Sequence, residues 1–301
     1  MTSAAVPTAA LPIRARPGVA RLAPAAIAAV AFIILFAKPA ALLARDWWTN
    51  PEAGHGLLLA PVSIWLAWRI GVGPRARSQL GLGTGILALA VVLRAVSELA
   101  AELFAMRLSM LMALAGLVVF YWGWRQVLAW WLPFLLLVLA VPLPEMVTSA
   151  LALPLQFRAS RLGAALLEWR HVPVRLSGNV LDIPGYQLFV TEACSGLRSL
   201  SALLSLAVLT AGLWLRYPIM RCLLLLVAVP VAVLINGVRV FLTGFLVYFV
   251  SPKLGQGFMH LTEGWLLFLV SLAAVGVATG LFALIERGIG AYRERRTDGP
   301  R

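Results

Sequence analysis

Charged residues are scarce in this chain of 301 residues, and acidic residues are the scarcest of them. Asp, Glu, Lys and Arg together make up 12% of the sequence, against about 25% in an average soluble domain. Hydrophobic residues reach 61%, and the mean hydropathy is +0.92. A chain of this composition cannot cover its core with a water-compatible surface. The composition therefore excludes a cytosolic enzyme, a disordered tail protein and a secreted disulfide scaffold.

Cysteine and histidine are also rare, with two and three copies respectively. Cys194 and Cys222 are too few for a disulfide framework, and both border or lie inside apolar segments. No HExxH motif and no paired Cys/His spacing occurs. We therefore expect neither a metal ion nor another cofactor.

Long apolar runs dominate what is present. A helix needs roughly 20 apolar residues to cross a hydrocarbon core about 30 Å thick. The sequence therefore predicts an all-α polytopic membrane protein with about eight transmembrane helices. The expected spans are approximately 22–44, 55–71, 80–103, 107–124, 127–143, 194–215, 219–241 and 261–286.

The basic residues predict how these spans are oriented. Most arginines fall on the side that holds both termini, and the formal net charge is +13. By the positive-inside rule that side is cytoplasmic. We expect cytoplasmic tails at 1–21 and 287–301 on either side of a membrane domain at 22–286. Because the basic residues lie in short loops between apolar runs, we do not expect nucleic acid as a partner.

The longest loop, about 145–193, is expected to be extracytoplasmic. Its first half, 146–169, repeats leucines near helical spacing and predicts an amphipathic helix lying at the membrane interface. Its second half alternates apolar and polar residues around Gly178-Asn179 and Pro184-Gly185, which predicts short strands joined by turns as in a β-hairpin.

Polar residues cluster where the sixth expected span begins, in Thr191-Glu-Ala-Cys-Ser-Gly-Leu-Arg-Ser. Thr191 or Glu192 can cap the helix, which would place Cys194 in its first turn. The unpaired N–H groups there favour a thiolate. Arg198 lies one turn further on the same face and acts in the same direction.

Two further polar clusters map to the same membrane interface. The first is Asn236-Gly-Val-Arg-Val, in which Asn236, Arg239 and Thr243 share a helical face. The second contains His260, in Met259-His-Leu-Thr-Glu-Gly-Trp. A cysteine, an arginine and a histidine at one interface meet the needs of thiol acyl transfer. The thiolate attacks a carbonyl, the imidazole protonates the leaving amine, and the guanidinium stabilises the oxyanion.

At these residues the sequence resembles the exosortase/archaeosortase family. The resemblance rests on Ala193-Cys-Ser-Gly-Leu-Arg-Ser, on Asn236-Gly-Val-Arg and on His260, and it extends over about residues 45 to 286. It implies Cys194 as nucleophile, His260 as acid and base, and Arg239 as stabiliser of the oxyanion or substrate. Glu192, Arg198 and Asn236 are expected to support them.

The resemblance also implies an activity. It is that of a bacterial inner-membrane cysteine endopeptidase or transpeptidase whose active site faces the periplasm. The implied substrates are secreted proteins ending in a Pro-Glu-Pro motif, a hydrophobic helix and a basic tail. The implied partners are these substrates, membrane lipid and enzymes of exopolysaccharide biosynthesis.

Two other functions stay open at this stage. One is a transporter or flippase for an envelope precursor, although no duplicated halves are evident. The other is a non-catalytic assembly factor for an envelope polysaccharide, in which the cysteine is incidental. Simpler interpretations of single residues are an interfacial anchor for His260, a snorkelling side chain for Arg239, a packing residue for Cys222 and a structural ion pair for Arg94 and Glu98.

Overall fold

A computed structural model of the protein describes residues 19–50, 52–190, 197–251 and 257–297. These ranges contain ten helices and one small antiparallel sheet. The elements are α1 (Val19–Thr49), α2 (Gly56–Ile70), α3 (Leu80–Leu99), α4 (Leu103–Trp122), α5 (Trp124–Ala129), α6 (Trp131–Leu139), α7 (Glu145–Trp169), β1 (Arg175–Ser177), β2 (Val180–Ile183), β3 (Tyr186–Phe189), α8 (Leu197–Trp214), α9 (Pro218–Phe249) and α10 (Gly257–Thr297).

The expected all-α polytopic membrane fold is confirmed. In the described part of the chain, five helices are long and apolar enough to cross a membrane, namely α1, α3, α4, α9 and α10. Two shorter apolar helices, α2 and α8, correspond to two more of the expected spans. The expected number of eight stays a prediction.

The expected span at 127–143 is not one helix, and this expectation was wrong. The chain forms α5 and α6, which are separated at Trp130. The Trp130 indole N–H donates to the Gly71 carbonyl at 3.0 Å. Pro133 then lies in the first turn of α6, where an amide N–H has no partner within the helix. The break thus coincides with a contact to the α2–α3 loop. The hydropathy pattern does not predict this contact.

The boundary between the third and fourth spans also differs from expectation. The sequence predicted spans at 80–103 and 107–124, whereas α3 ends at Leu99 and α4 begins at Leu103. The Glu102 carboxylate accepts hydrogen bonds from the N–H groups of Phe104 and Ala105, at 3.1 and 2.5 Å. This cap starts α4 one turn earlier than apolar content alone indicates.

Ion pairs join α1, α3 and α4 near their shared ends. Arg94 and Glu98 pair along α3 as the sequence predicted, and Lys38 of α1 also contacts Glu98. Arg107 of α4 contacts Asp46 of α1 at 2.6 Å and is almost fully buried. These pairs fix α1 against the antiparallel α3–α4 hairpin.

The last three helices pack as an antiparallel bundle around small side chains. Their buried cluster combines residues of α8, α9 and α10, many of them alanine. At one end of the bundle, the buried Glu286 carboxylate of α10 accepts the backbone N–H groups of Arg216 and Tyr217, each at 2.8 Å. Glu286 thereby ties α10 to the α8–α9 connection. The buried cluster among α8, α9 and α10 consists of Leu203, Ala207, Ala211, Leu215, Leu224, Ala228, Ala232 and Val275.

The loop before α8 folds as predicted into a helix followed by short strands. The strands form an antiparallel meander in the order β1-β2-β3. Its turns lie at Gly178 and Gly185, whose φ values of 64° and 79° favour glycine. The helix α7 packs along α9, where Gly163 approaches Val240 closely enough that a Cβ would lie 2.5 Å from its Cγ1. The interfacial position of α7 stays a prediction.

Candidate functional site

Two of the three expected catalytic residues, Arg239 and His260, belong to helices that meet at one end of the α8–α10 bundle. Helix α8 spans 18 residues from Leu197, a rise of about 26 Å. A similar rise along the antiparallel α9 leads from Pro218 to Asn236. The first turn of α8 therefore lies level with the Asn236–Arg239 segment, and α10 begins on the same side.

Arg239 contacts the backbone of α10. A Cβ placed on Gly264 would lie 3.0 Å from Nη2 of Arg239 and 3.2 Å from its Cζ. The guanidinium therefore occupies the space that any other residue at position 264 would fill with its side chain. This contact joins the second and third polar clusters, whose expected place at one membrane interface stays a prediction.

The α9 segment around Arg239 is held by buried polar and close-packed groups. Thr243 is 2% exposed, and its hydroxyl donates to the Arg239 carbonyl at 3.0 Å. Asn236 is 5% exposed and Arg239 is half-buried. A Cβ on Gly237 would lie 2.2 Å from Cδ2 of Leu162. Helix α7 therefore packs closely against α9 at Gly237.

His260 lies in the first turn of α10, four residues before Gly264. Four residues are about one turn, so positions 260 and 264 share a face of the helix. The backbone of α10 thus places the His260 position one turn away from the Arg239 guanidinium. Its side chain lies outside the described part of the structure.

The meander ends beside this segment of α9. Leu181, Ile183, Leu188 and Val190 share a buried cluster with Val240, which directly follows Arg239. Val190 is 1% exposed, and its N–H donates to the Asn179 carbonyl at 2.9 Å while its own carbonyl accepts from Asn179 Nδ2 at 3.1 Å. The chain is therefore anchored at Val190, four residues before Cys194.

Cys194 and Glu192 lie outside the described residues, which break off between 190 and 197. Arg198 belongs to the first turn of α8, but its side chain is likewise outside the described part. The expected capping of α8 by Thr191 or Glu192, and the juxtaposition of Cys194 with Arg239, therefore stay predictions. Among the described residues, no three His, Cys, Asp or Glu side chains are grouped so that they could hold a metal ion.

Two residues of this region were missed by the sequence reasoning. Gly264 belongs to the third polar cluster, and its spacing of one turn from His260 could have indicated that it shares a helical face with that residue. Asn179 was assigned to a turn, and nothing in the sequence indicated that its side chain fastens the chain just before the cysteine segment.

A family model described as transmembrane exosortase matches residues 47–277, which is more than three quarters of the chain. The match begins at the end of α1 and extends into α10, so it includes every element of the site. No curated protein and no solved structure is significantly similar to the chain.

Proposed function

Because this chain belongs to the transmembrane exosortase family, we propose that it is a cysteine endopeptidase or transpeptidase of the bacterial inner membrane. In this proposal it removes the C-terminal sorting signal of secreted proteins, which consists of a Pro-Glu-Pro motif, an apolar helix and a basic tail. The released proteins would serve envelope or exopolysaccharide biogenesis, with enzymes of that biosynthesis as partners. The termini would be cytoplasmic and the site would face the periplasm.

The observation that carries this proposal is the contact between Arg239 and Gly264. It brings the Arg239 guanidinium, the one strongly basic group of the second cluster, to Gly264 of α10. The position of His260 is one turn from Gly264 on the same helix. Thiol acyl transfer needs a cation or donor at the developing oxyanion and an acid near the leaving nitrogen. In this proposal the two groups come from α9 and α10, which are neighbouring helices.

The anchored chain on either side of the cysteine supports the same proposal. Val190 is hydrogen bonded to Asn179 within the meander, and α8 begins at Leu197. A four-residue segment can extend at most about 14 Å. Cys194 can thus lie no more than about 14 Å from Val190, whose buried cluster also contains Val240, the neighbour of Arg239. This upper limit is compatible with the proposed meeting of Cys194 and Arg239.

The proposed reaction begins with attack of the Cys194 thiolate on the carbonyl carbon of the scissile peptide bond. The carbonyl oxygen becomes an oxyanion, which the Arg239 guanidinium stabilises. When the tetrahedral intermediate collapses, the C–N bond breaks and His260 transfers a proton to the leaving amine. The product is a thioester on Cys194 together with a free tail that stays in the membrane.

A second nucleophile then resolves the thioester. His260, now neutral, removes a proton from an incoming amine or water, and the thiolate leaves. An amine acceptor yields a transferred protein, whereas water yields a hydrolysed one. In this scheme Arg198 and the α8 dipole stabilise the thiolate, while Asn236 and Glu192 position the neighbouring groups.

The proposal is tested with purified full-length protein and a reporter that ends in Pro-Glu-Pro, an apolar helix and arginines. We expect mass spectrometry of the stopped reaction to find the reporter's new C-terminus linked to Cys194. Hydroxylamine should release this adduct, because thioesters react with it readily. A reporter that is cut without any Cys194 adduct would contradict the mechanism, and an uncut reporter in an intact membrane preparation would contradict the function.

Gly264→Ala tests the positioning of Arg239. The added methyl group would displace the guanidinium, so we expect the cleavage rate to fall about tenfold to a hundredfold. The displaced atoms are the flexible end of a long side chain, so the thermal stability should stay the same or rise slightly. The measurement is the cleavage rate together with the unfolding temperature.

Gly276→Ala is the matched control, since it lies in the same helix and a Cβ there meets nothing within 4 Å. Both variants have the same effect on helix propensity, but only Gly264→Ala should slow cleavage. Equal rates in the two variants would show that the Arg239 contact with α10 has no role in the reaction.

A further inference from the structure

A cavity lined by arginine and tryptophan lies at the opposite end of the α3–α4 hairpin from Glu102. Its volume is about 520 Å³, and its walls come from the α2–α3 loop and from the junction of α4 with α5. The side chains that matter here are Arg75, Arg77, Gln79, Trp122, Trp124 and Arg125.

Two hydrogen bonds and one close backbone approach hold the two walls of this cavity together. The Arg77 N–H donates to the Trp122 carbonyl at 3.0 Å, and the Trp124 N–H donates to Gln79 Oε1 at 2.9 Å. Gly123 between them has a φ of 85°, and a Cβ there would lie 2.2 Å from the Arg77 carbonyl oxygen. Only glycine allows this approach, so the cavity is a built feature of the fold.

The charge of the cavity is not neutralised from within. In the part of the chain that the structure describes, Arg75, Arg77 and Arg125 form no ion pair with a carboxylate. All three side chains are exposed. Three guanidinium groups around one concave space favour an anionic ligand with several acceptor oxygens.

The position of the cavity identifies the source of such an anion. Helices α3 and α4 are both long and apolar enough to span a membrane, and the cavity lies where α3 begins and α4 ends. Trp124 is 48% exposed at its rim, and tryptophan is enriched at membrane–water interfaces. Leu80 and Leu82, in the first turn of α3 next to Gln79, are 59% and 51% exposed, which provides an apolar surface for acyl chains.

We propose that this cavity is a binding site for the headgroup of an anionic phospholipid. The phosphate is held by Arg75, Arg77 and Arg125, Trp122 and Trp124 lie against the glycerol region, and the acyl chains run along α3. Basic pockets at the membrane-facing ends of transmembrane helices hold lipid headgroups by this chemistry. This site is separate from the proposed catalytic residues, so its test does not depend on cleavage.

Native mass spectrometry of the full-length protein in a neutral detergent tests the proposal. Dioleoyl-phosphatidylglycerol and dioleoyl-phosphatidylcholine are titrated separately, and the fraction of protein that retains one lipid is measured. We expect the anionic lipid to bind at least about tenfold more tightly. Equal retention of the two lipids would overturn the proposal.

Substitutions then locate the bound lipid. R75Q/R77Q/R125Q should lower the affinity for phosphatidylglycerol by about a hundredfold, since each guanidinium near the surface contributes about fivefold. The single variant R125Q should lower the affinity about fivefold. It tests the site even if the triple variant does not fold. The charge-matched control R287Q/R293Q/R295Q should keep most of the affinity.

Two results would contradict the lipid site. If the control and the cavity variants lose affinity equally, the lipid responds to net charge and not to this cavity. If millimolar inorganic phosphate displaces phosphatidylglycerol, the cavity is a site for free phosphate.

Discussion

Replacing Cys194 with alanine is expected to abolish cleavage of the reporter's sorting signal, with a loss on the order of 10⁴-fold or more. The reason is that no other group in the proposed site can form the acyl intermediate. Arg239 and His260 would still bind and polarise the carbonyl, but without the thiolate no covalent acyl intermediate can form. The measurement is the release of the tail, detected as a mobility shift of the reporter in membranes that contain the inserted variant.

Cys222→Ala is the matched control for this experiment. Cys222 is the other cysteine of the chain, and it lies in α9 five turns before Arg239. It is not close to the catalytic end of the bundle, so its loss should leave cleavage within about twofold of the wild type. Cys194→Ser adds a second check, because it keeps the size of the side chain and should still be inactive near neutral pH.

Persistent cleavage by Cys194→Ala would overturn the thiol mechanism. The family membership would then stand without this chemistry, and a non-catalytic role in envelope assembly would become the better interpretation. Loss of cleavage in both cysteine variants would instead indicate a general effect on the bundle.

Replacing Arg239 with lysine is expected to lower the turnover number by about 10²-fold to 10³-fold. Lysine keeps the positive charge but loses the planar fork that reaches the backbone of α10 at Gly264. If the guanidinium acts on the oxyanion, its interaction develops in the transition state, so the turnover number should fall while KM changes little. Steady-state kinetics with the purified protein and a short reporter peptide separate the two constants.

Arg221→Lys is the control for this substitution within the same helix. Its guanidinium donates to the Leu215 carbonyl from Nε and Nη2, at 3.0 and 2.8 Å, and lies 4.9 Å from the centre of the Trp131 ring. Lysine there should reduce stability slightly and leave the turnover number unchanged. A variant of Arg239 that raises KM alone would indicate substrate binding and would contradict a role at the oxyanion.

Local features of this protein were predictable where one short segment decides them. The apolar runs predicted helices, because a backbone in hydrocarbon must satisfy its own hydrogen bonds. The glycines at 178 and 185 predicted the meander's turns, because they accommodate positive φ angles. The spacing of Arg94 and Glu98, which is one helical turn, predicted their ion pair.

Features that depend on a distant partner were not predictable in this way. The break at Trp130 coincides with a hydrogen bond to Gly71, which is 59 residues away. The early start of α4 is a different case, because its Glu102 cap is local and could have been found from the sequence. The apolar content on both sides concealed it.

Some features of the candidate site were likewise predictable from the sequence, and others depend on packing. Residue types and charge counts nominated Arg239 and His260 and predicted that their segments share one membrane interface, because composition and hydropathy are properties of the chain alone. The close contact of the guanidinium with Gly264, and the fastening of Val190 by Asn179, exist only once α9, α10 and the meander are packed. Such contacts depend on distances between atoms far apart in the chain, and those distances arise only from packing.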